Sequence, residues 1–65
     1  MKIHLNGRDT ETQSNSLWDL VIENGYDPTS LVAEVNLAVI QQDNWKHFSL
    51  SPGDTVELLS FVGGG

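Results

Sequence analysis

The sequence predicts a small α+β domain, a mixed sheet of four to five strands with one packed helix. Three observations predict it. The chain opens on strict alternation of apolar and polar side chains, Met1 to Leu5, followed at once by Asn6-Gly7. One amphipathic segment, 17–24, is bracketed by Ser16 and Gly25. The stretch 55–62 is the richest in β-forming residues. At 65 residues there is room for one core and no second domain.

The elements follow in order. Met1, Ile3 and Leu5 alternate with Lys2 and His4, the period of a half-buried strand. Asn-Gly supplies the positive φ angles of a type I′ hairpin turn. Residues 8–13 are then the return strand, polar and suited to a sheet edge. Ser16 starts a capping-box-like sequence, with Asp19 at its fourth position. Leu17, Leu20, Val21 and Asn24 share one helical face by their spacing. Gly25 ends the helix as a left-handed cap, and Asp27-Pro28 prevents its continuation. So short a helix is marginal alone and must lie on the sheet.

Leu31 to Asn36 reads as a strand with Leu31, Ala33 and Val35 on one side and Val32 and Glu34 on the other. A tight turn at Asn36-Leu37 leads to a short strand at Val39-Ile40. Asp43 to Lys46 reads as a single helical turn. Ser51-Pro52-Gly53-Asp54 has the type II turn pattern, with Asp54 bonding the turn backbone. Residues 55–62 form the last strand. A hairpin, one helix and returning strands make a two-layer domain over 1–62, with 63–65 as a tail.

Composition excludes much chemistry. Ile, Leu, Val and Phe number 19 of 65 residues, above the roughly 20% typical of disordered chains. There is no Cys, hence no disulfide frame, thiolate zinc site or cysteine nucleophile. A formal charge of −6 argues against nucleic acid as partner and favours a monomer that meets basic proteins. No apolar run is long enough to span a membrane, and the opening residues lack the apolar region of a signal peptide. The expected address is the cytoplasm.

The tail is the unusual feature. Gly63, Gly64 and Gly65 follow Val62 where β-forming residues stop. One reading is a frayed terminus. The other is geometric. A segment without Cβ atoms threads a channel that side chains would block, and three extended residues reach about 10 Å. A carboxylate delivered that way acylates nothing until activated, for example as an acyl-adenylate in another protein's active site.

These residues resemble the ThiS family of thiamin-biosynthesis sulfur carriers, small ubiquitin-like β-grasp proteins. The resemblance runs end to end. It takes in Ile3-His4-Leu5-Asn6-Gly7, Val35-Asn36, Val39-Ile40, Trp45, Pro52-Gly53-Asp54 and Phe61-Val62-Gly63-Gly64-Gly65. The chain departs at Leu37, where the family usually has Gly, and at Gln41-Gln42, where it often has Pro-Arg. The resemblance implies a carrier rather than an enzyme. A ThiF-type, E1-like adenylyltransferase would use ATP and magnesium to adenylate the Gly65 carboxylate. A persulfide protein would supply sulfur, leaving a thiocarboxylate at Gly65, and a ThiG-type thiazole synthase would take it. ATP and magnesium belong to the partner, so no cofactor is expected here. Alternatives are a molybdopterin synthase small-subunit type of carrier, a ubiquitin-like modifier and a plain interaction module.

Strand parity adds a docking surface. If Val56 and Leu58 face the helix, Glu57, Leu59 and Phe61 face away. Leu59 and Phe61, with Val62, Gly63 and Gly64, are then the expected partner-binding residues. His4 and His47 read as surface residues, Trp18 as a helix flank and Trp45 as core at the sheet's edge. Asp9 and Glu11 read as a solvated edge.

Overall fold

The computed structural model describes residues 1–61. Its strands are β1 (Lys2–Leu5), β2 (Arg8–Glu11), β3 (Leu31–Val35), β4 (Ala38–Ile40) and β5 (Thr55–Ser60). The helix α1 spans Leu17–Glu23, and 3₁₀ turns span Pro28–Ser30 and Gln42–His47. The five strands form one sheet in the order β2-β1-β5-β3-β4. β1 runs parallel to β5, and the other neighbours are antiparallel. A parallel pair cannot be joined by a hairpin, so the chain crosses over through α1, which covers one face. This is the mixed sheet with one helix that the sequence predicts.

Burial follows strand parity. Ile3, Leu5, Leu31, Ala33, Val35, Val56 and Leu58 point inward and pack with Leu17, Leu20 and Val21 of α1. Trp45 closes this core at 1% exposure, and its Nε1 donates to the Ile40 carbonyl at 2.8 Å. Trp18 is partly buried, and the Lys46 ammonium sits 4.8 Å from its ring centroid.

Local signals set the element ends. The Ser16 hydroxyl accepts from the Asp19 amide at 3.1 Å, the expected N-cap. At the other end Gly25 (φ 76°) donates to Ile22 and Tyr26 to Val21, the paired bonds of a Schellman motif. Asn24 is the C-cap and is exposed, not on the apolar face; its side chain bonds the Leu20 carbonyl instead. Asn6 (φ 50°) and Gly7 (φ 81°) form the expected left-handed pair between β1 and β2.

Other boundaries differ from the sequence reading. β2 ends at Glu11 rather than residue 13. Thr12 and Ser14 turn inward and are buried, and both hydroxyls donate to the Glu23 carboxylate on α1. Those bonds bridge residues distant in sequence, which local pattern does not show. Pro28–Ser30 is a 3₁₀ turn, where only a helix stop was expected. The turn expected at 43–46 extends over Gln42–His47. β5 stops at Ser60, and Val62 lies outside the described residues.

Candidate functional site

The described chain ends at Phe61, and its position follows from β5. β5 holds the centre of the sheet through side chains of both hairpin turns. The Asn6 carboxamide accepts from the Leu58 amide at 2.8 Å, on the β1 side. Asn36 accepts from the Thr55 amide and donates to Asp54, each at 3.0 Å, on the β3 side. Asp54 in turn accepts from the Ser51 amide at 2.8 Å, which fixes the turn ahead of β5 as expected. At the far end the Phe61 amide donates to the Ser30 carbonyl at 3.0 Å. Ser30 belongs to the 3₁₀ turn that Asp27 caps, accepting from the Thr29 amide at 2.9 Å and its hydroxyl at 2.7 Å. The Thr29 side-chain bond, then the backbone bond, lower the Asp27 pKa below its ordinary value.

Leu59, on the β5 face away from α1 as strand parity predicts, is 52% exposed, and Phe61, one residue past the end of β5, is 48% exposed. Leu59 pairs directly with Val32 of β3, and Val39 of β4 stands opposite Glu34. Val32 and Val39 are 38% and 58% exposed, so the apolar surface crosses three strands. Sequence reasoning found Leu59 and Phe61 but not Val32 and Val39 as their neighbours. Their grouping depends on the β3–β5 and β3–β4 registers, which alternation alone does not set. Val62, Gly63, Gly64 and Gly65 lie outside the described residues.

The remaining candidates take structural places. His4 is exposed and pairs with Asp9 directly across β1 and β2, Nδ1 to Oδ1 at 2.6 Å. Glu11 faces the N-terminal ammonium at 3.4 Å on the same edge. Among the described residues no group of His, Asp and Glu converges as a metal site. Nor, among them, is any helix long and apolar enough to cross a membrane.

Comparison with known proteins gives the surface a context. Residues 3–65 match the ThiS family. Two curated relatives, both thiazole synthases, come from Magnetococcus marinus and Paramagnetospirillum magneticum. They are 33% and 29% identical over 66 aligned residues that take in all of this chain. The chain spans only 20% of the length of each. The crystal structure of a thiamine biosynthesis protein (ThiS) from Geobacter metallireducens superposes with a TM-score of 0.83. The match covers all of both chains at 23% identity. A solution structure of a thiamine biosynthesis protein from the same organism gives 0.81, covering 88% of that chain, also at 23% identity. At that identity the likeness establishes the fold, a ubiquitin-like β-grasp.

Proposed function

The chain belongs to the ThiS family, and from that membership we propose that it is the sulfur carrier of thiamin biosynthesis, working through the Gly65 carboxylate. The observation that carries this reading is the family match, which runs through Phe61-Val62-Gly63-Gly64-Gly65 to the last residue. The chain is a co-substrate rather than a catalyst.

The chemistry is divided between the tail and its partners. A ThiF-type adenylyltransferase transfers AMP from magnesium-bound ATP to the Gly65 carboxylate and releases pyrophosphate. A persulfide then displaces AMP, and thiol cleavage of the acyl disulfide leaves a thiocarboxylate. A ThiG-type thiazole synthase takes up the sulfur. Gly63 and Gly64 carry no Cβ, which suits a narrow active-site channel. Leu59 and Phe61, exposed at the end of β5 and just past it, suit docking of the globular body outside that channel. The relatives' identity as thiazole synthases supports the synthase as acceptor, since a carrier-like region within the acceptor's own chain raises its effective concentration.

The test is intact-mass spectrometry after incubation with the adenylyltransferase, ATP, magnesium and a persulfide donor. Exchange of one oxygen for one sulfur is expected. An unchanged mass, or attachment of the chain to lysines of other proteins, contradicts the reading.

A further inference from the structure

We propose that the open sheet face is the docking surface for a protein partner that sets an arginine among apolar side chains, with Glu34 and Glu57 receiving the guanidinium. This rests on the carrier reading, and it adds which residues of the face choose the partner.

Glu34 and Glu57 stand directly opposite each other in the β3–β5 register. Opposed like charges on adjacent strands destabilise a sheet. The charged contacts among the described residues use other groups: the N-terminal ammonium faces Glu11, and the His4 imidazole contacts Asp9. Of the chain's cations, Lys2 is on β1 next to β5 but stands beside Gly53, four residues before Glu57, Arg8 is on the outer strand β2 opposite Leu5, and the Lys46 ammonium lies over the Trp18 ring. Among the described residues neither Glu34 nor Glu57 is joined to a cation by an ion pair. The carboxylate pair is bordered by exposed apolar side chains, Val39 opposite Glu34 and Leu59 two residues beyond Glu57.

Charge decides the occupant. A second copy of this chain would set the same carboxylates and another net charge of −6 against the face, so self-association is opposed. A basic partner relieves the repulsion. Opposed Cβ atoms on adjacent strands are about 5 Å apart, a span that a planar guanidinium bridges with its several donors and that a single ammonium does not. The apolar rim excludes water from that contact and strengthens it.

The experiment measures steady-state thiocarboxylate formation by purified ThiF-type adenylyltransferase, supplied with saturating ATP, magnesium and a persulfide donor, as the concentration of this chain is varied. Wild type is compared with Glu34→Gln/Glu57→Gln and, separately, with Val39→Ser. The charge variant should raise KM about tenfold or more at unchanged kcat, the scale of a lost close charge pair. It should also flatten the rise of KM with salt, while the free chain melts no lower than wild type. Val39→Ser should raise KM without altering the salt dependence. Wild-type KM and salt dependence in the charge variant overturn the docking assignment while leaving the carrier reading intact. Dimerisation of wild type that the charge variant abolishes also overturns it, in favour of a second copy. No thiocarboxylate from wild type itself overturns the carrier reading and the assignment built on it.

Discussion

Replacing Leu37 by glycine should stabilise this domain. Leu37 holds φ at 73° in the two-residue turn between β3 and β4, beside Asn36 at 52°. These are the positive angles of a type I′ turn, where glycine or asparagine is usual. A left-handed conformation costs an L-residue roughly 1–2 kcal/mol. Glycine avoids that cost but gives up about 0.5–1 kcal/mol in chain entropy. Leu37 is 89% exposed, so the substitution forfeits only a small part of the roughly 1.5–3 kcal/mol that full burial would contribute. The balance favours Leu37→Gly by about 0.5 kcal/mol. With an unfolding entropy of about 2.1 cal/mol/K per residue, that raises Tm by roughly 4 °C. Thermal unfolding followed by far-ultraviolet circular dichroism reads the difference. Leu37→Ala is the control: it keeps the Cβ and the strain, and should melt at or just below wild type. A lower Tm for Leu37→Gly, or an equal gain for Leu37→Ala, refutes the reasoning.

Other perturbations separate folding from function. Leu59→Glu and Phe61→Glu each place a charge on exposed surface, so circular dichroism should find the fold retained while thiocarboxylate formation is lost; normal formation in both removes them from the docking surface. Asp27→Ala removes the acceptor of both Thr29 bonds. The Asp27 pKa is depressed on folding from 3.8, so its contribution is present above that value and fades as pH falls through the lower folded value. The Tm gap between wild type and Asp27→Ala should therefore be constant near neutrality and shrink in acid; a gap that widens in acid contradicts the assignment.

Much of the fold was legible because local chemistry and tertiary placement agree. Asn6-Gly7 specified its turn through backbone angles that few residues adopt. Ser16 and Gly25 marked the ends of α1 through bonds made within a few residues. Alternation in β3 and β5 placed Ala33 and Val56 inward and Leu59 outward. The failures share a different cause. Thr12 looks like part of a wet edge strand, with Ser14 just past it, until Glu23 of α1 comes to meet them. Asn24 fits the apolar helical spacing, yet its carboxamide is used at the cap. The Glu34–Glu57 opposition exists only once β3 and β5 are paired in register. Leu37 was visible as a departure from the family pattern, but its strain became apparent only with the backbone angle.

The central claim, that Gly65 carries the sulfur, is tested most directly on the C-terminal proteolytic fragment. The chain is incubated with the adenylyltransferase, ATP, magnesium and a persulfide donor, then cleaved and sequenced by tandem mass spectrometry. A variant lacking Gly65 is treated in parallel; its core, from Ile3 to Leu58, is unchanged, so it should melt like wild type. The account predicts one sulfur in place of one oxygen at the Gly65 carboxyl in wild type and none in the variant. Sulfur on any other residue, or equal incorporation in the variant, contradicts it.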